Sequence, residues 1–88
     1  MTENEIELKL YNVLQKRIEN EKELNKLIYK FCFYFLPNVK NDIYCKVFFK
    51  NGLNIILLIS DVFKREINEI IESIMNNIKR EYKKGNQL

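Results

Sequence analysis

Apolar residues recur every three to four positions along the first part of this 88-residue chain. On a helical wheel they fall within one half of the circle, which is typical of an amphipathic α-helix. No glycine or proline interrupts the pattern before Pro37, so it predicts one helix over about 3–35, with Thr2 as N-cap and Glu5 completing a capping box. The apolar stripe consists of Ile6, Leu10, Val13, Leu14, Ile18, Leu24, Leu27, Ile28, Phe31, Cys32 and Phe35.

The C-terminal end of this stripe also fits a strand. Residues 27–36 are rich in aromatic side chains, which favour β-structure, and alternate aromatic residues would share one face of a strand. A helix over the whole stripe would be about 50 Å long, whereas a domain of this size is only about 30 Å across. The sequence therefore predicts a helix that breaks near 19–23 or is covered by another molecule, with a strand over 27–36 as the alternative.

Residues 42–60 form two apolar, β-prone runs on either side of Asn51 and Gly52. An Asn-Gly pair in this position predicts a β-hairpin with a two-residue type I′ turn. The second run is apolar at every position except Asn54, which favours a strand that is covered on both faces. With a two-residue turn, one face of the hairpin would carry Tyr44, Lys46, Phe48, Lys50, Leu53, Ile55, Leu57 and Ile59.

A second amphipathic stripe predicts a helix over about 61–84, with Ser60 or Asp61 as N-cap and Gly85 as the stop. Its apolar members are Phe63, Ile67, Ile70, Ile71, Ile74, Met75, Ile78 and Tyr82. The whole chain is thus predicted to be a single small α+β domain over residues 1–88. Its element order is α-β-β-α, or α-β-β-β-α if residues 27–36 form a strand.

Two charged residues, Arg17 and Glu21, interrupt the first apolar stripe. They predict either an ion pair along one helix or a symmetric contact in which Arg17 of one copy meets Glu21 of another. The excess helix length and the uncovered hairpin face favour self-association as a homodimer. The predicted protein interface lies on the helix, at Ile6, Leu10, Val13, Leu14, Arg17, Ile18 and Glu21, or on the sheet, at Tyr44, Phe48, Ile55, Leu57 and Ile59.

The composition argues against enzymatic chemistry. The chain has no histidine, which removes the usual general base and zinc ligand. Cys32 and Cys45 fall in apolar runs outside any metal-ligand spacing, so both are predicted to be reduced core residues. No phosphate-binding or nucleophile motif occurs. We therefore expect a non-enzymatic protein with no catalytic residues, no metal, no cofactor and no small-molecule substrate.

Nucleic-acid binding is the alternative function. Residues 1–25 hold six acids and four bases, and residues 26–88 hold six acids and eleven bases. A sheet face that combines lysines with aromatic rings can meet phosphates and bases. The net charge of +3 is low for such a protein, so protein binding is the first choice. The residues predicted for nucleic-acid contact are Lys46, Lys50, Lys79, Arg80, Lys83 and Lys84.

Location and source are indicated by composition alone. The N-terminus is acidic and lacks a signal-peptide pattern, and the apolar runs 31–36 and 55–59 are too short to span a membrane. We expect a cytoplasmic, reducing location and no membrane partner. Ile, Asn and Lys each occur twelve times and alanine is absent, which indicates an AT-rich genome, bacterial, viral or protist. A small adaptor, an assembly subunit or a phage- or virus-type inhibitor acting in the host cytoplasm all fit.

Overall fold

A computed structural model of the chain describes residues 1–39 and 41–86. Three strands form one antiparallel sheet, in which the order across the sheet is the order along the chain. This is an α+β fold, and it takes the α-β-β-β-α form that the sequence analysis gave as the alternative. The elements are α1 (Glu3–Glu19), α2 (Lys22–Leu27), β1 (Ile28–Phe35), β2 (Ile43–Phe49), β3 (Asn54–Ile59), a 3₁₀ turn (Val62–Lys64) and α3 (Ile67–Asn86).

The first helix begins where the capping box predicts. The hydroxyl of Thr2 accepts a hydrogen bond from the backbone N–H of Glu5 at 3.2 Å, and the Glu5 carboxylate accepts one from the backbone N–H of Thr2 at 3.3 Å. This exchange satisfies two N–H groups that have no partner within the helix. The hydrogen bonds from Thr2 also lower the pKa of Glu5.

The helix ends at Glu19, not at residue 35. The backbone N–H of Glu21 bonds to the carbonyl of Ile18 at 3.0 Å, and Glu21 itself is extended, with φ −110° and ψ 92°. The chain therefore turns between α1 and α2, within the 19–23 segment where a break was anticipated. This turn lets the rest of the chain fold back and cover the α1 stripe.

Helix is the wrong prediction for residues 28–35, which form β1, whereas Leu27 is the last residue of α2. Seven residues of β1 have a cross-strand partner in β2. In the extended conformation, Phe31, Phe33 and Phe35 all lie on the sheet face that packs against the core. A helix would place Phe33 away from the other two, so the strand buries more aromatic surface and gains the pairing with β2.

The loop between β2 and β3 is one residue longer than predicted. The N–H of Phe49 bonds to the carbonyl of Leu53 at 2.9 Å, and the N–H of Gly52 bonds to the carbonyl of Phe49 at 3.0 Å. Within this loop only Gly52 has a positive φ, +93°, whereas a type I′ turn needs positive φ at both central residues. The hairpin therefore uses a three-residue loop, in which a type I turn is followed by a left-handed glycine.

The longer loop changes which side chains share a face, because a one-residue shift in register exchanges the two faces of a strand. Val47 pairs with Ile55 and Tyr44 pairs with Leu58. The predicted face that joined Tyr44 and Phe48 to Ile55, Leu57 and Ile59 is therefore wrong. The core-facing side of the hairpin carries Ile43, Cys45, Val47, Phe49, Ile55, Leu57 and Ile59.

Both long helices pack on this core-facing side. Helix α1 contacts β1, α3 contacts β3, and the two helices contact each other. The ring centroids of Tyr11 and Phe31 lie 4.6 Å apart, and those of Phe49 and Tyr82 lie 4.7 Å apart. No polar or charged side chain is buried in the part of the chain that the structure describes. The largest fully buried side chains are Leu10, Leu14, Ile43, Cys45, Val47, Val62, Ile70, Ile71, Ile74, Met75 and Ile78.

The last helix starts and ends later than predicted. Asp61 has a left-handed backbone, with φ 51°, and precedes the 3₁₀ turn instead of capping a helix. Gly85 lies inside α3, where a Cβ atom would come within 2.7 Å of the Leu53 side chain. Close approach of α3 to the hairpin therefore explains the glycine. None of the described helices combines the length and the apolar character that a membrane span requires.

Candidate functional site

The second face of the sheet carries the exposed residues of the strands and is named the open face here. Alternate strand residues point to it, and three cross-strand rows run over it from β1 through β2 to β3. The first row is Tyr34, Tyr44 and Leu58, the second is Cys32, Lys46 and Ile56, and the third is Lys30, Phe48 and Asn54.

Large apolar side chains lie exposed on this face. Ile56 is 56% exposed and Leu58 is 54% exposed, although both belong to a regular strand. At the β1 edge, Tyr29 is the extra residue of a β-bulge and is 68% exposed. A single exposed apolar residue is ordinary, but several on one face form a patch of the kind found at interaction sites.

Aromatic rings and lysines contact each other on the open face. The rings of Tyr34 and Tyr44 are stacked, with centroids 5.4 Å apart and an interplanar angle of 13°. The ammonium groups of Lys30 and Lys46 each lie 5.0 Å from the centre of the Phe48 ring, which is within the range of a cation–π interaction. These contacts hold the side chains in a defined arrangement before any partner binds.

The strands carry positive charge only. Within the bounds of β1, β2 and β3, the sequence contains Lys30 and Lys46 but no aspartate or glutamate. The open face is therefore an apolar surface with two cations and no strand carboxylate to neutralise them.

No protein-family model, curated protein or solved structure matches this chain. Its function is therefore argued from the contacts and charges of its own residues.

The predicted helix interface lies mostly inside the chain. Ile6, Leu10, Leu14 and Ile18 are at most 3% exposed, and Val13 is partly buried against the same core. These side chains pack beneath the sheet of their own chain because α1 ends at Glu19 and the strands fold back over it. They are not available on the surface of the folded chain.

Only part of the predicted sheet interface reaches the open face. Tyr44 and Phe48 lie there and are half-buried, whereas Ile55 and Ile59 are buried and Leu57 is partly buried on the core-facing side. The longer hairpin loop is the reason, because it turns the opposite set of β3 side chains outward. Ile56 and Leu58 take the exposed positions instead.

Arg17 and Glu21 both have partners on α3. Arg17 donates a hydrogen bond to the carboxylate of Glu72, and the ammonium group of Lys79 lies 2.9 Å from a carboxylate oxygen of Glu21. Ion pairs with α3 therefore account for the two charged residues in the apolar stripe, and no second copy of the chain is needed. The hydrogen bond from Arg17 lowers the pKa of Glu72.

Replacing Arg17 with alanine is expected to raise the pKa of Glu72. In the folded chain this pKa lies below its ordinary value of 4.5, so the pair contributes stability above that pH and loses it as the pH falls through the folded pKa. The effect on stability is small, because both side chains are well exposed. An NMR titration of the Glu72 carboxyl measures the shift, with Arg17→Lys as the charge-retaining control; an unchanged pKa in Arg17→Ala would contradict the pair.

The residues predicted for nucleic-acid contact are divided between two sides of the molecule. Lys46 lies on the open face and Lys50 is exposed in the hairpin loop, whereas Lys79, Arg80, Lys83 and Lys84 lie on α3, in the helix layer. Lys30, which the sequence analysis missed, is the second cation of the open face, and its position in β1 follows from the strand alternative.

The two cysteines lie on opposite faces of the sheet. Cys45 is buried in the core and Cys32 is exposed on the open face; both are free thiols. A disulfide between them is incompatible with side chains that point to opposite faces. The prediction of a core position is confirmed for Cys45 and wrong for Cys32, because alternation along β1 turns Cys32 outward between Phe31 and Phe33.

A groove of about 550 Å³ lies between α2 and the C-terminal turns of α3. Three of its eight lining residues are apolar or aromatic and five are charged, and Lys79 is already paired to Glu21. No group of residues suited to holding a metal ion occurs within residues 1–39 and 41–86. The groove is lined by Glu21, Glu23, Leu24, Leu27, Lys79, Arg80, Tyr82 and Lys83.

Proposed function

We propose that this chain is a non-enzymatic protein–protein interaction module and that the open face is its binding surface. The observation that carries the proposal is the exposure of Ile56 and Leu58 beside the stacked rings of Tyr34 and Tyr44. Aromatic and aliphatic side chains without acidic residues are typical of the centre of protein interfaces.

The chemistry of the titratable groups supports a non-enzymatic role. The most strongly shifted pKa in the described chain is that of the Cys45 thiol, which burial raises to about 12. A nucleophilic cysteine needs the opposite shift, because the thiolate is the reactive form. The pKa values of the exposed Glu5 and Glu72 carboxyl groups are lowered by hydrogen bonds that stabilise a helix start and a helix contact, respectively.

A second copy of the chain is the partner that the sequence analysis favoured, and it stays a prediction. Because the α1 stripe is buried, a homodimer of this fold has to use surface residues, and the open face offers the exposed apolar ones. The roles of small adaptor, assembly subunit and phage- or virus-type inhibitor of a larger complex, acting in the cytoplasm, belong to the same proposal.

Solution mass tests self-association. A homodimer formed through the open face should have twice the chain mass of 10.7 kDa in light scattering at micromolar concentration. The mass should be the same at low and moderate salt, because apolar contacts respond weakly to screening. The double substitution Ile56→Asp and Leu58→Asp should give a monomer, whereas Leu8→Asp, at a residue 63% exposed on α1, should not. A folded monomer at both salt strengths would contradict the homodimer.

Nucleic-acid binding is the second candidate, because Lys30 and Lys46 lie beside aromatic rings. Phosphate-driven binding would fall by orders of magnitude between low and moderate salt, and Lys46→Glu with Lys50→Glu should abolish it. The ring contacts weigh against this function. Phe48 lies against two ammonium groups and Tyr34 stacks on Tyr44, so these faces are already in contact with neighbours and less free to stack on bases.

A further inference from the structure

We propose that the partner of the open face is an acidic amphipathic helix of another protein. The proposal rests on the interaction function above and names the chemistry of the partner. Three properties of the open face carry it: its charge, its size and the arrangement of its apolar residues.

The charge of the open face disfavours a second copy and favours an acidic partner. Lys46 is the middle residue of the central strand, with Cys32 on one side and Ile56 on the other. Two copies packed face to face by a twofold axis through the centre of this face would bring their two Lys46 side chains together, and the strands provide no carboxylate to pair with them. Like charges across an interface are repulsive, whereas carboxylates of a partner would be attracted.

The size of the open face fits one helix better than a second sheet. Three strands spaced about 4.8 Å apart make it about 10 Å from β1 to β3, and five to six residues make it about 17–20 Å long. The flat area of the open face is therefore about 200 Å², which is far below the roughly 800 Å² per partner that stable protein interfaces bury. A single helix is about 10 Å in diameter, and about 12 residues of it cover this length.

The arrangement of side chains defines how such a helix would lie. Ile56 and Leu58 form an aliphatic strip on β3, and the Tyr34–Tyr44 stack continues it across the sheet. The apolar stripe of a partner helix packs on these residues. Carboxylates that flank the stripe then reach the ammonium groups of Lys30 and Lys46, which lie against the Phe48 ring in the unbound chain.

A peptide-display selection against the full chain tests the proposal. The library consists of helical peptides of about 16 residues, which span about 24 Å, with a fixed apolar stripe and with Glu, Gln or Lys at the flanking positions. We expect glutamate to be enriched at those positions. A selected peptide, synthesised and titrated, should lose about tenfold or more in affinity when Lys30→Glu and Lys46→Glu are combined. The matched control Lys9→Glu with Lys16→Glu, on the exposed side of α1, should leave affinity unchanged.

The outcomes separate this inference from the proposed function. Selected peptides that are neutral or rich in lysine, but that lose binding in the variant Ile56→Asp with Leu58→Asp, would overturn the acidic partner and leave the open face as a protein-binding surface. A selection without binders would overturn the acidic helix and leave self-association, tested by the solution mass, as the role of the open face. Binders insensitive to that variant would overturn both proposals. A single-stranded oligonucleotide that displaces the selected peptide and is released at moderate salt would assign the open face to nucleic acid instead.

Discussion

Replacing Leu10 with alanine is expected to lower the free energy of unfolding by about 3 kcal/mol. Leu10 is 0% exposed beneath the sheet, so the truncation removes its contacts with the core and leaves a cavity that the surrounding side chains fill only in part. Domains of this size have a total free energy of unfolding of only about 5–10 kcal/mol. The variant should therefore lose a large share of its stability, which urea unfolding followed by circular dichroism would measure.

Leu8→Ala is the matched control for this prediction. Leu8 lies on the same helix and carries the same side chain, but it is 63% exposed, so its truncation should change the free energy of unfolding by less than about 0.5 kcal/mol. The two substitutions are identical in helix propensity. Equal losses in both variants would contradict the orientation of α1 against the sheet.

Cys45 is expected to react with a thiol reagent at least about a thousandfold more slowly in the folded chain than in the unfolded chain. Burial raises its pKa from 9.0 to about 12, and the thiolate is the form that attacks the reagent. At pH 8 the thiolate fraction therefore falls by about three orders of magnitude. Exclusion of the reagent from the core adds to this protection.

The Cys32→Ser variant isolates the reaction of Cys45. Cys32 lies exposed on the open face, so the unaltered protein should show one accessible thiol and one protected thiol. In guanidinium the protected thiol should react at the rate of an unfolded cysteine. Rapid modification of folded Cys32→Ser would contradict the burial of β2.

Local sequence signals were sufficient for the buried faces of the two long helices, but not for where the helices end. The spacing of Ile6, Leu10, Leu14 and Ile18 is specified by the helical repeat alone, and the structure buries all four on one side of α1. The capping box at Thr2 likewise depends only on residues three positions apart. Such features need no knowledge of what the helix packs against.

The first strand could not be assigned from its own residues. Phe31 and Phe35 are four positions apart. This separation places them on the same face of a helix and also on the same face of a strand. Pairing with β2 decides between them, and that pairing depends on residues 8 to 21 positions away. The turn at Glu21 allows β1 to lie beside β2. No glycine or proline near it marks the turn in the sequence.

The outward-facing residues of the open face could be predicted for β2 but not for β3. Tyr44, Lys46 and Phe48 alternate with apolar residues, so their common face could be derived from β2. In β3 almost every residue is apolar, and a one-residue change in loop length leaves the pattern unchanged. Asn51 and Gly52 are compatible with either loop, so the exposure of Ile56 and Leu58 became visible only in the structure.

Helices α1 and α3 contact each other although they are far apart along the chain. The Arg17–Glu72 contact, for example, joins residues 55 positions apart. During synthesis the hairpin can form early, because its contacts are local. Its core-facing side, however, stays without α3 until Ile78 and its neighbours have left the ribosome. Until then, the part of that side that α3 covers in the folded chain stays exposed, in addition to the open face. A chain interrupted before α3 would expose the open face together with the part of the core-facing side that α1 does not cover, and it would be a target for chaperones and proteases.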